Sequence, residues 1–129
     1  MTPETGYFLD KARRLLSEAD AIPAINLYDA AGRTAYLAGF HAAQAFISER
    51  TGKTAKTHKG VQIEFQRLTK DDSSFGADLR GFLSQTYNLK AVADYETGPG
   101  SEVSPEQAVA AVQSARRFVA WFEKILAVP

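Results

Sequence analysis

An alanine-rich segment in the first half of the chain limits the fold more than any other feature of the sequence. From about Pro23 to Arg50 it is almost free of helix breakers, and Gly52 follows where a left-handed residue commonly ends a helix. Its alanines leave little side-chain bulk on most of the helix circumference: Ala30, Ala31, Ala35, Ala38, Ala42, Ala43 and Ala45. A helix that is apolar nearly all round is either buried at the centre of a domain or shared with a partner subunit.

Four further segments show helical patterns, and no segment shows the alternation of a strand. Pro3 begins the first, which ends at the letters AIPA, and a threonine can cap a short helix over residues 57–70. Another helix is predicted over residues 77–95, and a Ser-Pro-Glu-Gln sequence at 104–107 opens the last one with a capping box. The sequence therefore predicts an all-α fold, an antiparallel up-and-down bundle of about five helices in one domain over residues 1–129.

The composition excludes several classes of function. The chain has 129 residues and no cysteine, so neither a disulfide nor a thiolate metal site is available. Its two histidines, His41 and His58, have no histidine or carboxylate three or four residues away, so no metal site is expected. No glycine-rich loop follows a strand, so no cofactor is expected either. The longest apolar stretch is too short to cross a bilayer and no signal peptide is visible, which predicts a cytoplasmic protein without a membrane span.

Fifteen basic and fifteen acidic residues cancel, but they are unevenly distributed along the chain. Residues 50–70 carry six Lys and Arg side chains against a single acid, and residues 94–106 are acidic. A basic segment can bind phosphates, although a solvated loop and helix end has the same composition. Within it, His58 between Lys56 and Lys59 is either a phosphate ligand beside the free N–H groups of a helix start or a histidine in an ordinary cap.

The segment YNLKAVADYE places ionisable and aromatic side chains on one side of the fourth helix. Tyr87, Lys90 and Asp94 are spaced three and four residues apart, which predicts one face opposite the core stripe. Asn88 and Tyr95 belong to the neighbouring row. Such a face is either solvated or a binding surface, and the spacing alone leaves both open.

Two side chains of the second helix are further candidates. Asp29 and Arg33 lie four residues apart and can pair along the helix, so Arg33 matters for function only if it reaches another helix. His41 stands among alanines, which favours a hydrogen-bonded histidine in the core or at an interface.

Three stretches carry a family resemblance: RTAYLAGFHAAQAFISERTGKTAKTHKGVQIEFQRL (33–68), LSQTYNLKAVADYE (83–96) and VSPEQAVAAVQSARRFVAWFEKIL. Their Tyr-x-x-x-Phe-His-Ala-Ala, Thr-His-Lys-Gly and Ala-Asp-Tyr elements, in this order, resemble a bacterial and archaeal branch of the HEPN family, the higher eukaryote and prokaryote nucleotide-binding domains. The resemblance implies a helical bundle that forms a homodimer and, in many members, is encoded beside a minimal nucleotidyltransferase. It implies the toxin-side member of such a toxin–antitoxin pair, which binds RNA or nucleotide.

Active members of the family resemble one another in an Arg followed four to six positions later by a His, and two copies cleave RNA without metal across the dimer. Here the Arg position matches Lys90 and the His position falls at Asp94 or Tyr95, which makes these three the implied catalytic residues. Lys lacks the two-pronged grip of a guanidinium on phosphate, and Asp and Tyr are poor general bases at neutral pH. The expected metal-independent endoribonuclease activity is therefore weak or lost. Tyr95 also resembles the tyrosine that some partner nucleotidyltransferases modify with AMP.

The resemblance and the basic stretch together imply a binding site for RNA or nucleotide. The expected binding residues are Arg33, Lys56, His58, Lys59, Tyr87, Asn88 and Lys90. In the expected dimer, the two Lys90 rows lie side by side and form a positive cleft. The alternative is a non-catalytic interaction module, whose alanine-rich helix and fourth-helix face dock a nucleotidyltransferase or another partner.

Overall fold

The computed structural model describes residues 2–21 and 27–126, and over these residues the chain forms five helices without a strand. They are α1 (Pro3–Ala21), α2 (Tyr28–Thr51), α3 (His58–Thr69), α4 (Ala77–Tyr95) and α5 (Pro105–Leu126). The predicted all-α helical bundle is thereby confirmed. The predicted start of the second helix at about Pro23 lies outside the described residues, and α2 follows directly after Leu27.

The helix ends follow the capping chemistry expected from the sequence. Thr57 accepts a hydrogen bond on its Oγ1 from the backbone N–H of Gly60 at 2.9 Å. Gly52 ends α2 with φ of 71° and donates its N–H to the carbonyl of Ser48. At the start of α5 the capping box is complete, because Gln107 N–H donates to Ser104 Oγ at 3.1 Å and Ser104 N–H donates to Gln107 Oε1 at 3.0 Å. These bonds satisfy backbone groups that a helix end leaves free.

The alanine-rich helix α2 is the centre of the bundle and contacts each of the other four helices. Its buried residues occupy most of the helix circumference rather than one stripe. Of the two settings predicted for this helix, burial within its own chain is the one observed. Most of the apolar surface of α2 is therefore covered within the chain. One side of the helix is only half-buried, at Ala30, Arg33, Thr34, Leu37 and His41.

Aromatic side chains fill the space between α2, α3 and α5. The Phe65 ring meets Phe118 edge-on at a centroid distance of 5.6 Å and Phe122 at 6.0 Å. Phe46 and Phe75 complete the group, each also packed against Phe122. Burying one such ring contributes about 1.5–3 kcal/mol to the free energy of unfolding. No helix within the described ranges is both long enough and apolar enough to span a membrane.

Helix α4 lies very close to α2 because glycines face it. A Cβ built on Gly39 would lie 2.1 Å from Cε1 of Phe82, so the Phe82 ring rests directly on the α2 backbone. The buried positions of α4 continue from Phe82 in steps of four, through Thr86 to Lys90. This close contact decides where the polar side chains at the end of α4 lie.

Candidate functional site

Seven side chains from three helices meet where the C-terminal half of α4 packs against α2, and we refer to them as the polar cluster. Two come from α2, one from the first position of α3 and four from α4. They are Arg33, Tyr36, His58, Tyr87, Lys90, Asp94 and Tyr95. Six of these seven were predicted as site residues from the sequence, and Tyr36 was not.

One carboxylate holds two cations in the charged half of the cluster. Asp94 Oδ2 lies 2.9 Å from Lys90 Nζ, and Asp94 Oδ1 lies 2.9 Å from Arg33 Nε in an ion pair that links α4 to α2. Lys90 and, more weakly, Arg33 hold the pKa of the Asp94 carboxyl below its usual range. The same contact with Asp94 raises the pKa of Lys90. Both cations and the carboxylate are therefore charged at neutral pH, and the three groups carry one net positive charge.

The predicted exposure of Lys90 is wrong. Its side chain is only 10% exposed, and its ammonium donates to the Tyr95 hydroxyl at 3.3 Å in addition to pairing with Asp94. The physical reason is the close contact of α4 with α2, which turns the row through Phe82 and Lys90 inwards. An exposed Lys90 row facing a second copy of itself does not exist in this chain, and Arg33, whose side chain is 41% exposed, is the accessible cation of the pair.

Aromatic rings form the other half of the cluster. The Tyr36 hydroxyl lies 2.8 Å from His58 Nδ1, and the ring centroids of Tyr36 and Tyr87 are 5.4 Å apart. His58 packs against Phe40 at 4.9 Å and Tyr87 at 5.5 Å. Burial raises the pKa of Tyr36 to about 12. Burial and the nearby Lys90 ammonium lower the pKa of His58, so the imidazole is neutral at pH 7.

Other predicted residues lie apart from the cluster. Lys56, Lys59 and Asn88 are exposed, and within the described part of the chain no hydrogen bond or ion pair joins them to it. The His58 ring packs against Phe40 and is hydrogen-bonded to Tyr36, whereas the described residues show no hydrogen bond between it and either lysine.

The expected pair along α2 is also absent. Asp29 accepts the backbone N–H of Val103 at 2.7 Å, and Arg33 pairs with Asp94 on another helix instead. His41 is half-buried and hydrogen-bonded through Nδ1 to Gln44 Oε1 at 2.7 Å, which confirms the prediction of a hydrogen-bonded histidine.

Tyr36 is the member of the cluster that the sequence did not reveal. A signal was present, because a large aromatic residue with a hydroxyl stands three positions after Arg33 in a helix of small side chains. A buried hydroxyl needs a hydrogen-bond partner, and that requirement points to a polar group on a neighbouring element. The partner, His58, could not be identified without the three-dimensional contact.

The arrangement can bind an anion next to flat rings. Arg33 borders an open groove that is also lined by Leu27, Tyr28, Asp29, Ala30, Glu102 and Val103. Beside it, the Tyr95 ring is 69% exposed and lies 4.9 Å from the Lys90 ammonium. Cations next to exposed aromatic rings suit phosphates and bases. No group of three or more His, Cys, Asp or Glu side chains that could hold a metal ion occurs among the described residues.

The chain is similar to known proteins in sequence and in fold. The model of the HEPN domain family matches residues 5–125. A UPF0332 protein from Archaeoglobus fulgidus is 32% identical over 109 residues, which are 84% of each chain. The crystal structure of TT1696 from Thermus thermophilus superposes with a TM-score of 0.79 over 95% of this chain and 98% of that chain, at 18% identity. The last similarity concerns the fold alone.

Proposed function

Because the chain belongs to the HEPN domain family, we propose that it binds RNA or nucleotide at the polar cluster, with weak or no cleavage of the bound RNA. Arg33 contacts a phosphate, the buried Lys90 ammonium adds positive charge behind it, and an exposed ring such as Tyr95 stacks on a base. The predicted residues Lys56, Lys59 and Asn88 are outside this site and act at most on the backbone of a longer ligand.

The observation that carries this proposal is the net positive charge of Arg33, Lys90 and Asp94 taken together. Two cations share the single carboxylate of Asp94, each at 2.9 Å, and one net positive charge is left beside the aromatic rings. Arg33 uses its Nε towards Asp94, so the ion pair leaves the two Nη groups of the guanidinium for a phosphate. An incoming phosphate therefore adds to the ion pair rather than replacing it.

Weak or absent cleavage follows from the state of the residues at the family's catalytic positions. A general base must take the proton of the ribose 2′-hydroxyl, and its pKa is most effective near the working pH. Asp94 is held by two cations, and its pKa is lowered away from neutrality, chiefly by Lys90. Lys90 is enclosed by Asp94 and Tyr95, so it cannot grip the reacting phosphate as an exposed arginine does.

The binding proposal is tested with a fluorescently labelled single-stranded oligoadenylate and fluorescence anisotropy. Arg33→Gln is expected to weaken binding about tenfold, because a hydrogen bond to a charged group contributes about 1.5–3 kcal/mol. It should also reduce the slope of log K against log salt by about one. Arg13→Gln is the matched control, since Arg13 is similarly exposed and paired with acids on α1 and α5. Equal affinity of wild type and Arg33→Gln would refute the proposal.

The proposed weakness or absence of RNA cleavage is tested separately. The purified protein is incubated with total RNA in the presence of a metal chelator, and intact RNA is measured by gel electrophoresis. RNA that stays intact, or that is degraded equally by wild type and Lys90→Ala, agrees with lost activity. Rapid cleavage that depends on Lys90 contradicts it.

Tyr95 supports a second candidate role, as the modified residue of a toxin–antitoxin pair with a nucleotidyltransferase. Its ring is 69% exposed at the end of α4, so an enzyme can reach the hydroxyl. An adenylate on Tyr95 would place a phosphate beside Lys90 and Arg33 and occupy the proposed RNA site. The test is the intact mass of the protein isolated from its native cells. One or more adenylate additions that Tyr95→Phe removes support this role, and an unmodified mass contradicts it.

A homodimer in the cytoplasm is the proposed working form. A second copy would add its own Arg33 to the site and double the positive charge available to one RNA strand. Light scattering measures this directly, since a dimer has twice the mass of the chain and a strict monomer refutes the pairing.

A further inference from the structure

The Tyr36 hydroxyl has no part in the proposed function so far, although it is the most deeply buried polar group of the cluster. Tyr36 is fully buried on α2. Its hydroxyl lies 2.8 Å from Nδ1 of His58, at the first position of α3. Burying a hydroxyl without a hydrogen-bond partner is costly, so the buried Tyr36 hydroxyl is expected to form a hydrogen bond with His58.

The direction of the hydrogen bond between Tyr36 and His58 follows from the acceptor that the phenol proton needs. Burial raises the pKa of Tyr36 to about 12. The phenol is protonated, and its own proton needs an acceptor. Among the described residues His58 Nδ1 is the acceptor that the structure offers. The Tyr36 hydroxyl therefore donates its proton to His58 Nδ1.

The contacts of the His58 imidazole fix both the orientation of the ring and the nitrogen that carries its proton. Its ring lies between Phe40 at 4.9 Å and Tyr87 at 5.5 Å. With Nδ1 accepting from Tyr36, the single proton of the neutral ring is on Nε2. Nε2 lies on the edge of the ring that faces away from Tyr36, and the structure gives it no partner within the described residues.

We infer that Tyr36 is a positioning residue, which holds His58 in the orientation and tautomer whose Nε2–H donates a hydrogen bond to a phosphate oxygen of the ligand. This inference rests on the proposed binding function. A neutral donor suits a position next to Lys90, because a second full charge there would repel the ammonium. Tyr36 itself does not contact the ligand.

The tautomer is measured first, without ligand, from the nitrogen chemical shifts of the two histidines, with His41→Gln assigning the signals. In the wild type, His58 Nε2 is expected to show the shift of a protonated nitrogen and Nδ1 that of an unprotonated one. In Tyr36→Phe the two shifts should move towards each other. A wild-type proton on Nδ1 overturns the inference, whatever RNA binding shows.

The effect on binding is measured with the labelled oligoadenylate. Tyr36→Phe should weaken binding by between about two- and tenfold, the value of one hydrogen bond. His58→Phe removes the donor, so adding Tyr36→Phe to it should cause no further loss. If Tyr36→Phe weakens binding equally in the wild type and in His58→Phe, Tyr36 acts through the stability of the fold and not through His58, which overturns the inference. Tyr7→Phe is the control, since Tyr7 is 72% exposed on α1.

A second pair of variants keeps the test independent of the stability of Tyr36→Phe. The amide nitrogen of His58→Gln reaches the position of Nε2, whereas that of His58→Asn reaches only the position of Nδ1. The glutamine variant should retain more affinity than the asparagine variant, and the reverse order overturns the inference. Absence of binding by the wild type refutes the proposed function itself, and the nitrogen shifts still decide the tautomer.

Discussion

The same substitution at two glycines of α2 should change stability in opposite directions. A Cβ on residue 39 would lie 2.1 Å from Cε1 of Phe82, whereas a Cβ on residue 32 would meet Leu89 and Val103 at an ordinary contact distance of 3.5 Å. The Phe82 ring cannot retreat, because it is 3% exposed and stacks on Phe118 at 4.4 Å. Gly39→Ala must therefore push α4 away from α2, and Gly32→Ala need move nothing.

The magnitudes follow from two opposing effects. Alanine is favoured over glycine in a helix interior by about 1 kcal/mol. Overpacking a core lowers the free energy of unfolding by about 1–3 kcal/mol, and we expect the upper end of this range for a contact as short as that at Gly39. We therefore expect Gly39→Ala to lower the free energy of unfolding by about 2 kcal/mol, and Gly32→Ala to raise it by about 0.5–1 kcal/mol.

Urea titration followed by circular dichroism measures both changes. Gly6→Ala on α1 is the reference for helix propensity alone, because nothing lies within 4 Å of its built Cβ. Gly39→Ala should also weaken oligoadenylate binding, since the polar cluster depends on the distance between α2 and α4. Equal stabilisation by Gly32→Ala and Gly39→Ala would refute the close contact on which the site is built.

Three further predictions concern the charges and the buried phenol. Asp94→Asn should strengthen oligoadenylate binding by about three- to tenfold in the anisotropy assay, since it releases two cations, and a loss of affinity would contradict this. The pKa of Asp94 is lowered in the folded state, chiefly by Lys90, so the ionised carboxylate stabilises the folded protein. This contribution is fully present at a pH above 3.8, the ordinary pKa of the carboxyl group, and is lost as the pH falls through the lowered pKa. The stability difference between wild type and Asp94→Asn in urea titrations should therefore disappear in acid. Tyr36 should ionise at about pH 12, and the corresponding step in phenolate absorbance should be missing in Tyr36→Phe. Because the pKa of Tyr36 is raised in the folded state, the protein should lose stability as the pH rises from 10 towards 12.

The helix boundaries were predictable because local chemistry decides them. The reciprocal bonds of Ser104 and Gln107 join residues three apart in the sequence, and the left-handed Gly52 terminates its own helix. Both can be recognised without knowing any tertiary contact. The central position of α2 was one of two arrangements predicted for it, because its alanines leave little side-chain bulk on most of the helix circumference.

The geometry of the site was not predictable in the same way, because it depends on contacts between distant residues. The pattern of α4 alone puts Lys90 on the face opposite the core stripe, but glycines on α2 bring the two helices close enough to bury it. The ion pair of Arg33 with Asp94 and the bond of Tyr36 to His58 each join different helices. Spacing along one helix carries no information on such contacts.

The most direct test of the binding site is a map of backbone amide chemical shifts during titration with unlabelled oligoadenylate. We expect the largest changes at Arg33, at His58 and along residues 87–95, and we expect Arg33→Gln to reduce them. Changes confined to the groove between α4 and α5 around Asp78 and Arg117, or no changes at all, would contradict binding at the polar cluster.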